Sequence, residues 1–457
     1  MGNIRLRLEK FGVEIPEILL PQGIDLKQWA VIACDQFTQD RSYWEKAREA
    51  AGGSPSALHL IFSEAFLGDV GRAERIADIH RTMREYIKDS VFTSRRGFVY
   101  IERDTPFNRG RRGLVAAVDL ERYDWSPDAR PLIRATEGTV AERLPPRMDI
   151  RRNAPLETTH VILLINDETD TLLRDLGERA KKNSPVYQGE LMLNSGEING
   201  WFLDAQDDWN YLASGLEELT RNDIDPFLFA VGDGNHSLAC AKRIWEEYKA
   251  QCVADQANTV TTNNSGSLPI HPCRYALVEI ENIYDPAIRF EPIHRVVFGL
   301  GFDETLKLLS VLPDFYCREP VGREEMARLV AGNNCLDDAD TVAGPVMGNR
   351  FGIVSGDRYA LVETGAGGIA TALLQPLLDR AVNGNSTLSV DYIHGEDELF
   401  RLAGAPDGQA TGILLPSVQK TDLFKAVARY GPLPRKSFSM GEAEEKRFYV
   451  ECRKLFD

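Results

Sequence analysis

The stretch Phe227-Leu-Phe-Ala-Val-Gly-Asp-Gly-Asn-His-Ser-Leu-Ala-Cys-Ala-Lys-Arg-Ile-Trp-Glu-Glu-Tyr-Lys249 predicts a strand, a tight turn and a helix. Residues 227–231 are a continuous apolar run of the length of a buried strand. Ser237 is a good N-cap, and apolar residues follow it at helical spacing. A turn that ends on a helix N-terminus presents unpaired N–H groups and a positive dipole end. The stretch therefore predicts an anion-binding turn or, equally, an ordinary strand-to-helix connection.

Four residues of this turn have side chains or backbones suited to chemistry. Gly232 and Gly234 allow backbone angles that other residues resist. Asp233 and His236 could add metal binding or proton transfer. Glycine turns are common, so the pattern alone does not separate a functional turn from a structural one.

The length of the chain, 457 residues, exceeds a typical single core and predicts two or three domains. We expect an N-terminal α+β region over residues 1–300, which carries the turn. From about Gly301 short helices and strands alternate, so residues 301–457 predict a second α+β region. The predicted fold class is α+β, with mixed α/β elements.

Composition restricts the partners and the compartment. The net charge of −16 argues against a nucleic-acid-coating protein, which needs a basic face. Seven cysteines without a Cys-x-x-Cys pair favour a reduced, cytoplasmic compartment over a disulfide scaffold. The N-terminal residues lack a long apolar core, so we expect no signal peptide, and no apolar run is long enough to predict a membrane span.

A second polar segment is Arg134-Ala-Thr-Glu-Gly-Thr-Val-Ala-Glu-Arg143. Thr139 and Glu142 have capping-box spacing and predict a helix start. The two arginines that flank Glu137 could hold a polyanion and a metal, or they could pair with it as surface ions.

The third polar segment is Arg435-Lys-Ser-Phe-Ser439, in which Arg435 and Lys436 lie in a proline-bounded loop. Ser439 and Glu442 have capping-box spacing, which predicts a terminal helix over 440–455. A rigid basic pair beside a helix start is typical of a phosphate contact, but it also fits a helix entry with surface charges.

These three segments together resemble a known family. Gly-Asp-Gly-Asn-His-Ser at 232–237 resembles the Asp-Gly-His-His-Arg element of the family catalogued as domain of unknown function 1015. Arg-Ala-Thr-Glu-Gly-Thr at 134–139 and Pro-Arg-Lys-Ser-Phe at 434–438 resemble two further elements of that family, in the same order. Asn235 stands where the family often has its first His, and Ser237 where it has Arg.

The turn is also similar, more distantly, to that of the ParB/sulfiredoxin superfamily, which includes free-serine kinases. This resemblance implies a ParB/sulfiredoxin-like nucleotide-binding core, ATP or ADP with Mg²⁺, and phosphoryl transfer to a small hydroxylated metabolite. The residues expected to hold the phosphate are Gly232, Gly234, Asn235, His236 and Ser237, with Arg134, Arg143, Arg435 and Lys436 as cations.

The catalytic roles divide among three carboxylates and one imidazole. Asp233 or Glu137 would bind Mg²⁺, and Asp35 or Glu137 would accept the hydroxyl proton; His236 would assist. The partners would be a nucleotide and a small molecule, without nucleic acid or membrane. The alternative function is a nucleotide- or metabolite-binding regulator without turnover, and the residues at 235 and 237 favour it.

Overall fold

The computed structural model forms two compact units of mixed α/β structure, which confirms the predicted class. The first unit comprises Met1–Ala135, Thr139–Ile288 and Glu442–Asp457, and the second comprises Thr136–Gly138 and Arg289–Gly441. The predicted division after residue 300 therefore falls inside the second unit. The structure describes residues 2–221, 223–258, 271–319, 321–332, 348–404 and 410–456.

The first unit is built on a mixed sheet that has ten strands in the described residues. The short strand Val13–Glu14 pairs with Arg111–Asp119 outside the main path. The strands follow one another across the sheet in the order Tyr187–Glu190, Glu197–Leu203, Phe98–Asp104, Arg111–Asp119, Tyr275–Asn282, Val161–Ile165, Phe229–Asp233, Ile133–Ala135 and Tyr123–Asp124.

The predicted strand of the opening stretch is confirmed, displaced by two residues to Phe229–Asp233. It pairs antiparallel with Val161–Ile165 and parallel with Ile133–Ala135. Phe229, Ala230 and Val231 point alternately to the two faces of the sheet and are all buried, so both faces are covered here, which explains the continuous apolar sequence.

The helices of the first unit cover this sheet and its edges. Helix Asn235–Asn258 packs on Leu144–Arg151 through a small apolar cluster that includes Met148 and Ile244. No helix among the described residues is both long and apolar enough to cross a bilayer. The helices are Gly2–Lys10, Leu26–Trp29, Arg41–Ala51, Arg72–Lys88, Leu144–Arg151, Leu172–Ala180, Gln206–Leu219 and Asn235–Asn258.

The prediction of a terminal helix over 440–455 is wrong. The chain there forms short strands, and Glu442 caps a 3₁₀ turn, Ala443–Glu445, together with Glu445 itself. Strand Phe448–Tyr449 pairs with Val31–Ile32. Strand Cys452–Lys454 enters a sheet whose strands lie in the order Phe92–Arg96, Glu17–Pro21, Cys452–Lys454 and Leu156–Thr158. Pairing with distant strands satisfies the backbone and overrides the local helical spacing.

Buried charges hold this C-terminal segment in place. Arg111 forms a two-bond pair with Glu281, with both N···O distances 2.7 Å. Arg447 forms ion pairs with Glu279 at 2.6 Å and with Glu451 at 2.5 Å. We call the following side chains, each at most 2% exposed, the buried ion cluster: Arg103, Arg111, Arg447, Glu279, Glu281 and Glu451.

The second unit is a seven-stranded antiparallel sheet, as far as its residues are described, with helices on both faces. Val297 and Ile353 face one apolar core, whereas Val296 and Val354 face the other, as strand alternation requires. The strands lie in the order Tyr316–Arg318, Arg358–Glu363, Arg350–Ser355, Ala410–Leu414, Phe290–Phe298 and Ser389–His394, with Phe438–Met440 also paired to Phe290–Phe298. The helices are Phe302–Leu309, Arg323–Ala331, Ala370–Gly384, Glu396–Ala403 and Lys420–Tyr430.

Candidate functional site

The turn of the opening stretch is shorter than predicted, because the helix begins at Asn235. Gly234 has φ +82°, and its N–H donates to Oδ1 of Asp233 at 2.9 Å. A Cβ at this position would lie 3.0 Å from Val161 Cγ2 and 3.2 Å from Val161 Cα. Backbone angle and close approach therefore both require glycine at position 234.

Two sequence predictions about this turn need correction. Gly232 supplies no left-handed turn: it is the extra residue of a β-bulge, since Ile162 pairs with Asp233 and Leu163 with Val231. Ser237 is not the N-cap, because it lies in the first turn of a helix that starts two residues earlier. The N–H of Leu238 donates to Gly234 O at 3.0 Å, so the N–H groups before it are those that a helix N-terminus offers to an anion.

His236 and Asn235 connect the turn to the segment that contains Arg143. The backbone N–H of Val140 donates to Nε2 of His236 at 3.3 Å. Oδ1 of Asn235 is buried and accepts no hydrogen bond from the described residues. The capping box expected at Thr139 is absent: Val140 is the N-cap of a 3₁₀ turn, Ala141–Arg143, and makes no side-chain cap.

His160 is a half-buried imidazole beside the turn that the sequence did not single out. It lies two residues before Ile162, the partner of Asp233, so the strand register brings it to the end of the bulge. Its ring centroid is 5.2 Å from that of Tyr449. Burial lowers the pKa of His160, and the charges of Asp35 and Asp233 oppose that shift.

Lys446 supplies a cation from the far end of the chain. Its Nζ lies 3.6 Å from Oδ2 of Asp233, and its side chain is 10% exposed. The sequence pattern did not indicate Lys446 as a candidate, because it predicted a terminal helix here. The position of Lys446 depends instead on the irregular C-terminal segment. Asp233 is thereby engaged through both oxygens, one by Gly234 and one by Lys446.

Asp35 lies in a loop held by aromatic stacking. Phe37 has φ +48° and stacks on Tyr43, with ring centroids 4.0 Å apart. Oδ1 of Asp35 accepts a hydrogen bond from Gln36 Nε2 at 3.0 Å, and Asp35 forms no ion pair with a described residue. A strained backbone held by its surroundings is typical of functional loops, and here it presents a half-buried carboxylate.

A polar cleft of about 700 Å³ adjoins this loop. Glu64 and Arg147 form a two-bond pair in its wall, with N···O distances of 2.7 and 2.5 Å. Burial raises the pKa of Glu64, Arg147 lowers it, and the charge of Asp35 raises it further. The cleft is lined by Thr38, Gln39, Arg41, Glu64, Ala65, Gly68, Asp69, Arg143 and Arg147.

Arg134 belongs to the first unit, and its side chain already contacts residues close to it. Its Nε donates to Pro131 O at 2.9 Å, and its guanidinium lies over the Phe227 ring at 4.7 Å. Nη2 lies 3.7 Å from Asp225. Burial lowers the pKa of Arg134. Its expected phosphate contact stays a prediction.

In the second unit, Glu137 holds the loop that contains Lys436. Its carboxylate accepts the backbone N–H of Lys436 at 3.0 Å and that of Ser437 at 2.9 Å. Burial raises the pKa of Glu137, and these backbone hydrogen bonds oppose the shift. Arg295 Nη2 donates to Lys436 O at 3.0 Å, and Arg435 Nε donates to Tyr392 OH at 3.2 Å. The Glu137 carboxylate therefore accepts hydrogen bonds from the loop backbone and stabilises the loop.

The predicted site residues thus fall in both units. The turn, Arg134 and Arg143 belong to the first unit, whereas Glu137, Arg435 and Lys436 belong to the second. The three-part site stays a prediction. Within the described residues, no group of three or more His, Cys, Asp or Glu side chains is arranged to hold a metal ion.

The family model described as protein of unknown function (DUF1015) matches residues 19–381, so the chain belongs to this family. No curated protein matches the chain. Among solved structures, it is similar to a conserved hypothetical protein from Pyrococcus furiosus, with 10% identity and a TM-score of 0.35, over 75% of this chain and 93% of that one.

Two further solved structures show similarity of the same order. A free serine kinase in complex with AMP has 11% identity and a TM-score of 0.38, over 77% of this chain and 95% of that one. SbnI with a C-terminal truncation, from Staphylococcus aureus, has 10% identity and a TM-score of 0.34, over 74% of this chain and 86% of that one.

Proposed function

We propose that this member of the DUF1015 family is a nucleotide-dependent small-molecule kinase, which transfers a phosphoryl group to a hydroxylated metabolite such as free serine. One observation carries the proposal. In the first unit, Asp233 of the strand-to-helix turn pairs with Lys446 at 3.6 Å, and the charges of Asp233 and Asp35 both act on His160.

The turn would bind the phosphates of ATP or ADP. Phosphoryl transfer depends on positioning and on neutralising charge more than on covalent chemistry. The bulge at Gly232 and the positive φ of Gly234 bring backbone N–H groups of residues 235–237 to one point, where the helix dipole favours an anion. Arg143, in the wall of the polar cleft, would add a cation.

The acceptor would enter from the polar cleft, and Asp35 would take its proton. The hydroxyl oxygen attacks the terminal phosphorus, a new O–P bond forms, and the bond from phosphorus to the remaining nucleotide breaks. The hydroxyl proton passes to the Asp35 carboxylate, which forms no ion pair with a described residue and so keeps oxygen lone pairs for it.

Mg²⁺ is expected with the nucleotide, since it screens the phosphate charge. The predicted protein ligands fit it poorly, because the carboxylates of Asp233 and Glu137 already accept N–H groups or pair with a cation. The ion would have to be held mainly by the phosphates, and the proton transfer above does not depend on it.

The test is a phosphoryl-transfer assay on the full chain. ATP and ADP are each offered with a panel of serine-like alcohols, and phosphorylated product is followed by ³¹P NMR. We expect one donor and one alcohol class to give product with catalytic turnover. The absence of product from every pair, with a folded protein, would rule out the kinase.

A regulator that binds nucleotide or metabolite without turnover is the second candidate. His236 favours this candidate. Its Nε2 accepts a backbone N–H and thereby stabilises the 140–143 segment. Titration calorimetry with ATP, ADP and CTP separates the two functions. Tight binding without product indicates a regulator, whereas binding with product indicates the kinase.

A further inference from the structure

The turn itself carries no cationic side chain. Between Gly232 and Ala241 there is no Lys or Arg, and Lys242, the first to follow, donates to Leu120 O at 3.0 Å. A phosphate bound at this helix N-terminus would therefore need a cation from elsewhere in the first unit.

Lys446 is placed to be that cation. Its Nζ lies 3.6 Å from Asp233, the residue directly before the glycine of the turn, and nine-tenths of its side chain is buried. An ammonium group has three N–H donors, so it can contact an anion while it keeps Asp233 as a partner. Burial strengthens the attraction, because water screens a buried pair less than an exposed one.

The buried ion cluster fixes the backbone on which Lys446 stands. Arg103 Nη1 donates to Glu445 O at 3.0 Å and to Lys446 O at 2.7 Å. Arg111 Nη1 donates to Glu445 O at 3.2 Å while its other nitrogens pair with Glu281. Arg103 thus contacts both carbonyls that flank the Lys446 Cα, and Arg111 contacts the first of them.

The residue after Lys446 is anchored by the same cluster. Arg447 pairs with Glu279 and Glu451, and its Nη1 donates to Phe448 O at 2.8 Å. Burying three arginines and three glutamates costs desolvation that their pairing repays only in good geometry, so such a cluster is a poor source of stability. Its effect here is to hold three consecutive residues in one position, as a binding group requires.

We infer that Lys446 binds the phosphate held at the Asp233–Ser237 turn, and that Arg103 and Arg111 are positioning residues for it. The inference rests on the proposed function, because it concerns the same turn. It adds the cation that the turn lacks, and it assigns this role to the C-terminal segment.

The experiment measures binding of inorganic pyrophosphate, apart from any turnover. Full-length wild type, Lys446→Met and Lys454→Met are compared by calorimetry at low salt. Lys454 is exposed in the same segment and is the matched control. We expect Lys446→Met to weaken pyrophosphate binding about ten- to a hundredfold, as the loss of one charge-assisted contact does, and Lys454→Met to leave it unchanged.

A second measurement uses only the wild-type chain and so does not depend on the folding of a variant. Lysines are acetylated with and without pyrophosphate, and the peptides are quantified by mass spectrometry. Protection of Lys446, but not of Lys454, supports the inference.

Arg103→Lys tests the positioning role. It keeps the charge, but the shorter lysine side chain has no nitrogen at the Nη1 position, from which Arg103 donates to both carbonyls. We expect weaker pyrophosphate binding and less protection of Lys446, with kcat of any transfer reduced less than the affinity. Unchanged protection of Lys446 in a folded Arg103→Lys chain would overturn the positioning role.

The outcomes separate the inference from the kinase proposal. Pyrophosphate binding that depends on Lys446, without transfer to any alcohol, keeps the inference and removes the kinase. Transfer that persists in Lys446→Met with unchanged pyrophosphate affinity removes the inference and keeps the kinase. Wild type that binds no pyrophosphate overturns the inference directly.

Discussion

Two charged clusters of the first unit differ in how their charges are compensated. The buried ion cluster has three arginines and three glutamates, each at most 2% exposed, with short ion pairs among them. The turn cluster of Asp35, Asp233, His160 and Lys446 is in larger part half-buried, and its closest ion pair spans 3.6 Å. We call the second group, Asp35, Asp233, His160 and Lys446, the turn cluster.

The difference shows what each cluster is suited to do. Charges that are fully buried and held in ion pairs cannot respond to a ligand, because any change leaves an uncompensated charge in a medium of low polarity. Loosely paired, half-buried groups can exchange partners when an anion or a hydroxyl arrives. The comparison predicts that substitutions in the turn cluster change chemistry directly, whereas those in the buried ion cluster lower stability and change phosphate binding only through the position of Lys446.

The largest expected effect is on catalysis, from Asp35→Asn. The amide cannot accept the hydroxyl proton, so we expect kcat to fall about 10²- to 10⁴-fold. The melting temperature should stay close to that of wild type, since Asp35 forms no ion pair with a described residue. Steady-state kinetics and thermal melts check both, with exposed Asp128→Asn as the control. An unchanged kcat would show that the turn cluster does not supply the base.

Arg111→Met probes the buried ion cluster. It leaves Glu281 without its two-bond partner, and we expect the free energy of unfolding to fall by about 3–5 kcal/mol. Burial raises the pKa of Glu281 and Arg111 opposes that shift, so the loss of Arg111 favours proton uptake by this carboxyl. Urea denaturation measures the change. A loss below about 1 kcal/mol would contradict strong pairing in the buried ion cluster.

Gly234→Ala tests the backbone of the turn. We expect a loss of about 1–3 kcal/mol, because φ is +82° and the new Cβ would meet Val161. Gly110→Ala is the matched control, since Gly110 has φ +71° but no atom within 4 Å of a Cβ. Equal losses in the two variants would show that close approach to Val161 contributes nothing.

The smallest effect concerns pH. Burial lowers the pKa of folded His160 below its unfolded value of about 6.5, so the unfolded chain binds more protons between those two values. Stability from this group is therefore present above about pH 6.5 and is lost as the pH falls toward the folded pKa. His160→Gln should flatten this slope, which is at most about 1.4 kcal/mol per pH unit. Denaturation at pH 5.5 and 7.5 measures it, and an unchanged slope would assign it to other groups.

Local signals in the sequence were sufficient for the strand, turn and helix of the opening stretch. An apolar run, the glycine at position 234 and helical spacing act over a few residues, and such preferences survive in the fold. The same kind of signal failed over 440–455. The capping pattern there is local, but the backbone is held by Arg103 and Arg111, more than three hundred positions earlier in the chain.

The turn cluster could be predicted only in part. Asp35 and Asp233 were named as candidates from the sequence because they stand in polar loops after apolar runs. His160 and Lys446 were missed, because one starts a strand without a motif and the other lies in the mispredicted terminal segment. The sequence feature that could have indicated His160 is its position directly before a buried strand. That Asp233 lies near it depends on an antiparallel register with a bulge, which the sequence does not reveal.

The sequence by itself determined the mixed α/β class, the strand-to-helix turn and the need for glycine at that turn, since these follow from burial and backbone angles within one stretch. Only the tertiary structure decided which charges surround the turn. Strand register places His160 beside Asp233, and buried ion pairs place Lys446 there. Both depend on contacts between distant segments, whose free energy comes from desolvation and pairing and leaves no local pattern.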